Sequence, residues 1–546
     1  MTRLLLTATL LVLASLKACA APVVFTAGTQ PARRFEVHEA SIVQIHAALK
    51  AGRITCVALV DQYLKRIEAY DKTGPALNAI TVINPNARAE ATELDRRMKT
   101  SGPTGPLHCI PAIVKDNFET AGLQTAAGSL ALKNFDPGRD AFQVKRIKDA
   151  GAIVLAKSNM AEWAFSPYET VNSVLPGYSR NPYALDRVTA GSSGGTAAAV
   201  AASFGAIGLG SDTGNSIRGP SSHQALVGIR STMGLTSRGG VVPLNLLADI
   251  AGPMTRTVED AVAVFQAIVG EDPGDPVTLA TEFEPVGLRP SGRPAAIPNY
   301  RQALVRGALK GARIGILRQA YERPSTSEEV VAVFMAAVGD MKKAGAIIVD
   351  PATVEGLDQI RRGSGSGPCG GFKHDINRYL ASLGDRVPVK NLEAIIKSRS
   401  FHPSVELRLT RAQEGSENGL DSAACKAEAD YRERFRTAVL RTMDAHALDA
   451  FIYPTWSNPP RLIGDLNTPH GDNSQVFSPT TGFPAINVPM GYTMMGRLPA
   501  GVTFFGRAWD EERLIRLAYS YEQTTRHRRP PATTPPVGAS PRGSAR

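Results

Sequence analysis

Apolar residues are distributed along the chain in three distinct patterns. The first is an unbroken stretch: Leu4 to Leu16 carries no charge, follows Arg3, and runs into Ala18-Cys19-Ala20. A short positive start, an apolar segment and small residues beyond it predict a cleaved signal peptide over residues 1–20. The stretch is too short for a bilayer, which takes about 20 residues. The second pattern is helical. Ile42, Ile45 and Leu49, then Leu59, Tyr63 and Ile67, recur at three- and four-residue intervals and predict two helices between Glu39 and Tyr70. Asn84-Pro85 opens a third, polar helix. The third pattern alternates short apolar runs with helical stretches. A strand over 111–114 ends at Lys115-Asp116-Asn117; a helix over 141–150, closed by Gly151, leads to a strand at 152–156. Helix–strand pairs then recur at 197–203 and 207–210, 258–268 and 314–317, and 330–341 and 347–349. Further buried strands are read at 450–453, 485–488 and 502–505, with an amphipathic helix over 511–524. Such alternation predicts an α/β architecture with helices covering a sheet.

The breaks in the pattern divide the chain. Residues 21–34 lack periodicity, 273–298 are rich in Pro and Gly and read as a surface excursion, and 529–546 read as a disordered tail. By length alone the 546 residues could form three domains. No internal repeat is found.

Composition adds exclusions. The 546 residues are 43% hydrophobic and 20% charged, ordinary for a globular protein. The net charge of +11 is dispersed among acids with no basic run interleaved with aromatics, which argues against nucleic-acid binding. No second segment predicts a membrane span. Loss of the leader leaves Cys56, Cys109, Cys369 and Cys425. None has metal-ligand spacing, and three pairings or free thiols all remain open. The leader predicts a periplasmic or secreted protein. A lipoprotein anchored at Cys19 fits less well because Lys17 stands two residues before it.

The chemistry concentrates in AGSSGGTAAAVAASFGAIGLGSDTGNSIRGP, residues 190–220. Two Ser/Gly clusters flank an Ala-rich helix and an apolar strand. Turns of this kind can converge backbone N–H groups on one anionic oxygen. A flexible linker is disfavoured because apolar segments enclose the clusters. A phosphate loop lacks its lysine after Gly195. Gly191 to Gly195 matches the G-x-S-x-G elbow with Ser193 at its centre, but no strand precedes it. Its histidine would have to come from His223, His374, His402, His446, His470 or His527, none in a distinctive setting.

The same segment resembles the amidase signature family. So do Gly105 to Asn117 around Lys115, Arg180-Asn181-Pro182, Gly252-Pro253-Met254 and Thr481 to Pro489, in the family's order. The resemblance covers roughly residues 36–528 and implies a single large α/β/α domain there, with a central mixed β-sheet covered by helices on both faces. It implies Lys115 as base, Ser192 as proton shuttle behind a cis peptide bond, and Ser216 as nucleophile. The two serines stand 24 residues apart, as in the family. The implied oxyanion donors are the backbone N–H groups of Thr213, Gly214, Asn215 and Ser216. Asp212 and Arg218 are read as a buried pair, and Asp116 and Asn117 as turn-formers. Two positions depart from the family's glycines. Asn215 tolerates left-handed backbone but adds a side chain at the pocket, and Cys109 adds bulk near Lys115.

The expected reaction is hydrolysis of a carboxamide C–N bond through a serine acyl-enzyme. A lysine serves as base only when neutral. Lowering its pKa from about 10.4 to 7.5 takes roughly 4 kcal/mol, which burial can supply. The implied substrate is a small-molecule or peptide amide, with no cofactor, no metal and no nucleic acid. Asp71 to Pro85 also resembles bacterial peptide amidases. The alternatives are the glutaminase subunit of a tRNA-dependent amidotransferase and a non-catalytic binding protein on the same fold. The acyl pocket is expected to draw on roughly 160–180 and 360–410. Monomer and homodimer are equally compatible with the sequence.

Overall fold

The computed structural model describes residues 35–166, 168–280, 287, 289–362, 369–417 and 423–538. The leader, 1–20, lies outside them.

Local signals start the first helices. Ser41 and Gln44 form a reciprocal capping box ahead of Ile42–Lys50. Thr55 accepts from the Ala58 N–H at the head of Cys56–Tyr70, which buries Cys56, Leu59, Val60, Tyr63 and Ile67 along one stripe. The strands are β1 (Ile80–Ile83), β2 (Pro111–Lys115), β3 (Ile153–Ser158), β4 (Ile207–Asp212), β5 (Val227–Arg230) and β6 (Ile250–Thr255). The set continues with β7 (Arg313–Ile316), β8 (Ile347–Val349), β9 (Ala450–Pro454), β10 (Ala485–Thr493) and β11 (Leu498–Phe505).

These form one mixed sheet in the order β1-β3-β2-β4-β6-β5-β10-β11-β9-β7-β8. β2 runs parallel to both β3 and β4, and β7 parallel to β8 and β9; the other pairs are antiparallel. Every residue of β2, β3, β4, β6, β9 and β11 is buried. Because side chains alternate across a strand, complete burial means that both faces of the sheet are covered. This is the expected α/β architecture. One core gathers around β1 to β4, a second around β5 and β7 to β11. A third, smaller cluster joins the helices Phe372–Ser382, Leu392–Ser398 and Glu406–Gln413 to Trp163, Phe165 and Val242. Among the described residues no helix is long and apolar enough to cross a membrane.

Three expectations need correction. Residues 529–538 are not a loose tail. Arg66 inside the helix Cys56–Tyr70 donates to the carbonyls of Thr534 (2.8 Å) and Pro535 (2.9 Å), and Thr534 is fully buried. Polar composition hides backbone carbonyls that serve as partners for a buried guanidinium. Residues 539–546 lie outside the described residues. The 273–298 excursion is partly packed, since Val277 and Thr278 are buried within a short 3-10 turn. Cys109 does not crowd Lys115. It precedes β2 with a φ of +61°, where glycine is the usual residue, and is bridged to Cys56. Lys115 ends that strand, whose four residue steps from Pro111 carry it roughly 13 Å from the end that Cys109 precedes. Cys369 and Cys425 form the second disulfide.

Candidate active site

Parallel pairing of β2 with β4 places the ends of both strands side by side, with Val114 opposite Leu209. Carboxyl ends of adjacent parallel strands are where α/β sheets build sites. Lys115 closes β2, and the turn Thr213–Ser216 follows Asp212 at the end of β4. Ser192 reaches the same place from the loop ahead of the helix Gly194–Ala201, through a cis Gly191–Ser192 bond. Gly191 is needed there because a Cβ would strike the carbonyl oxygens of Ser166 and Glu169.

Lys115 is fully buried, and its Nζ lies 2.7 Å from Ser192 Oγ, 2.9 Å from Ser211 Oγ and 3.4 Å from the Ser211 carbonyl oxygen. Asn117 Nδ2 donates to the same Ser211 Oγ at 3.0 Å. Asn117 is therefore part of the cluster as well as of the turn, and Ser211 joins it without a signal in the sequence. Burial lowers Lys115 to about 7, against the opposing attraction of Asp212 and Asp249.

Ser216 is nearly buried at the mouth of the turn. The structure does not join it to Ser192 by a hydrogen bond; its Oγ faces Asn215 Oδ1 at 3.5 Å. Among the described residues, none of the N–H groups of Thr213, Gly214, Asn215 and Ser216 donates to a protein acceptor. The turn owes its shape to Asp212, which accepts from the N–H of Ile217 (3.1 Å) and from Arg218 Nε (3.1 Å). Arg230 adds a second guanidinium at 3.1 Å. Burial works to raise Asp212, but the two arginines outweigh it and hold it at about 2. Neither Gly214 nor Asn215 is left-handed, so the expected tolerance of Asn for that region is not called upon. Gly214 is small for another reason: a Cβ would come within 2.6 Å of Gln475 Oε1. The Asn215 amide packs beside Gly219.

A cavity opens beside Ser211 and Thr213, lined also by Asn117, Ala164, Arg238, Val241, Val242, Leu244, Leu246, Asp249, Ile250 and Ala251. Of the segments expected there, 160–180 contributes Ala164. The 360–410 stretch instead buttresses the wall, with Asp375 accepting from the Leu246 N–H at 2.8 Å. Residues 238–251 have no chemical signature in the sequence. Asp249, raised to about 6 by burial, accepts from Thr213 Oγ1 and from the N–H groups of Leu244 and Asn245. Ser193, the alternative nucleophile, is buried and donates to the Ser211 carbonyl at 3.2 Å, and among the described residues no hydrogen bond joins its hydroxyl to a histidine.

Comparison with known proteins gives one answer. The amidase family model matches residues 58–515. A probable amidase of Arabidopsis thaliana is 34% identical over 517 residues, 91% of this chain and 92% of that protein. A glutamyl-tRNA(Gln) amidotransferase subunit of Geobacillus kaustophilus is 32% identical over 496 residues, 89% of this chain and 97% of that protein. The crystal structure of native peptide amidase from Stenotrophomonas maltophilia superposes with a TM-score of 0.78 at 34% identity, covering 90% of this chain and 98% of that one.

Proposed function

The chain belongs to the amidase family and is an amide C–N hydrolase, and we propose that Ser216 attacks the substrate carbonyl while Lys115 and Ser192 carry its proton. The supporting observation is the 2.7 Å contact between a fully buried Lys115 Nζ and Ser192 Oγ. A neutral amine has two N–H groups and one lone pair. The Ser211 carbonyl can only accept, and Ser211 Oγ already serves Asn117 and Lys115. The amine's lone pair is left for the hydroxyl proton of Ser192. Ser192 in turn takes the proton of Ser216 once Ser216 Oγ swings away from Asn215. The unengaged N–H groups of 213–216 receive the tetrahedral oxyanion; losing one such donor typically costs about 2.7–4 kcal/mol. The relay then returns a proton to the leaving ammonia or amine, and water releases the acyl group.

The substrate is read as a primary carboxamide of a small molecule or of a peptide C-terminus. Likeness to a peptide amidase over nearly its whole length supports this. The amidotransferase likeness supports the second reading, a glutaminase subunit. Export is read from the leader and agrees with two disulfides, which persist in oxidising compartments.

The test is ammonia release by the purified chain from primary amides, peptide C-terminal amides and anilides. We expect turnover by the chain alone, and a fall of roughly 10⁴-fold or more for Ser216→Ala. Turnover by that variant at the wild-type rate would remove Ser216 from its role. Release only with added amidotransferase subunits would establish the second reading. A serine-directed phosphonate is expected on Ser216; labelling of Ser193 would revive the elbow.

A further inference from the structure

The segment after β9 carries a buried cation that no carboxylate contacts among the described residues. Arg461 is only 6% exposed and forms no ion pair among the described residues, the attraction between it and Asp465 acting at longer range. Its Nη1 donates to the Thr468 carbonyl at 3.1 Å, and its buried Nη2 has no acceptor. The indole Nε1 of Trp456, on the same segment and also buried, lacks one too. The carboxylates of this segment, and Glu169 packed against it, are engaged elsewhere. Asp465 accepts from the N–H groups of Asn467 and Thr468, Asp472 from the Ser474 N–H and Gln475, and Glu169 from the Gly464 N–H. Arg323 and Arg408 are turned to other partners, Asn473 and the Phe165 carbonyl. Burying an unpaired guanidinium is unfavourable unless a partner arrives.

Aromatic rings connect this cation to the catalytic loops. The Arg461 guanidinium lies 5.5 Å from the ring centre of Tyr168, which stacks on His470 at 4.0 Å. Trp456 packs against His223 at 4.6 Å. Tyr168 belongs to the loop whose 166 and 169 carbonyls press on Gly191, next to Ser192. His223 ends the short helix that begins at Arg218, just after Ser216. Trp456 is bridged to Asp472, and the adjoining Gln475 packs on Gly214. Burial, reinforced by Arg461, lowers His223 to about 3, so that ring is neutral and Arg461 is the charge of the group.

We propose that Arg461, with the indole N–H of Trp456, forms a subsite next to the segments that carry the two serines, which binds a carboxylate on the amide substrate and makes this a hydrolase of acidic amides. The proposal deepens the amide-hydrolase reading and rests on it. Every unsatisfied atom in the pair is a donor, and a guanidinium fork matches a carboxylate in geometry and charge. A neutral amide would leave the cation as it is now.

Two matched pairs of substrates test it on the full chain. Butyramide against succinamate adds a carboxylate on the acyl side. N-ethylbutyramide against N-butyrylglycine adds one on the leaving side. Wild type is expected to favour the charged member of one pair, which identifies the side. Arg461→Gln is expected to reduce that preference about 10- to 100-fold, through KM, with the neutral member changed less than about twofold. Trp456→Phe, which removes only the N–H, is expected to act in the same direction by about 3- to 10-fold, and stands in if the arginine variant does not fold. A wild type that hydrolyses the neutral member of both pairs at least as well overturns the proposal, as does a variant that slows both members equally. Quenching of tryptophan fluorescence by succinate, lost in Arg461→Gln, reads the subsite without turnover; absence of quenching in wild type counts against it. Failure of wild type to hydrolyse any amide would instead defeat the hydrolase reading.

Discussion

Lys115 draws its reactivity from complete burial and from neighbours that are neutral: among the described residues no carboxylate stands within ion-pair distance, and three uncharged oxygens are in contact. With its pKa lowered to about 7 by burial, the protonated form dominates below that pH and cannot act as base. kcat/KM for a neutral amide is therefore expected to rise about tenfold per pH unit up to roughly 7 and level above it. A flat profile from pH 5 to 9 would exclude a lysine of this kind. Ser211→Ala removes the hydroxyl that holds both Lys115 and Asn117. It is expected to lower kcat about tenfold with KM little changed, in steady-state assays of the same amide. The lysine and the two motif serines are legible in the sequence because each sits in a short, unusual string of residues. The grouping of Ser211 with Asn117 is not: what brings them together is the β2–β4 pairing, which no local pattern announces.

Elements with a clean period are legible to within a few residues, among them the helices Phe142–Asp149 and Val258–Ile268 and the strands β4 and β9. β5 and β6 escape a sequence reading because Gly228, Gly252 and Pro253 interrupt their apolar runs. The helices between 372 and 445 escape it because their buried faces are narrow and their remaining surface is charged. Three of them, within 372–413, meet the catalytic loops partly through Glu162. Its carboxylate accepts from the His402 N–H at 2.8 Å and from Ser173 Oγ at 2.9 Å. Burial raises this carboxyl from 4.5 to about 7. The folded chain thus keeps a proton that the unfolded chain has lost over that window. Its contribution to stability is complete below about pH 4.5, declines as pH rises to about 7, and is constant above. Glu162→Gln cannot ionise, so its Tm should gain on wild type between pH 4.5 and 7 and run parallel beyond. A gap that does not change with pH would show that Glu162 does not titrate in that range.

On the scale of the whole molecule, the strand order β1-β3-β2-β4-β6-β5-β10-β11-β9-β7-β8 is beyond sequence reasoning. Its neighbours lie far apart in the chain, and apolar runs of equal length carry no address. The closing arm is illegible for a related reason: it contributes carbonyls rather than side chains. Removing residues 529–546 would strand two N–H groups of Arg66 and the hydroxyl of Tyr70, which bonds the Pro535 carbonyl at 3.0 Å. We expect about 2–3 kcal/mol lower stability in denaturant titration, with kcat unchanged at low temperature; equal midpoints would show that the arm is dispensable. The same contact orders events during synthesis. Arg66 and Thr534 are separated by 468 positions, so the second helix emerges from the ribosome long before its last partners exist. Until Thr534 and Pro535 have been made, the Arg66 guanidinium must be kept wet or covered by something else.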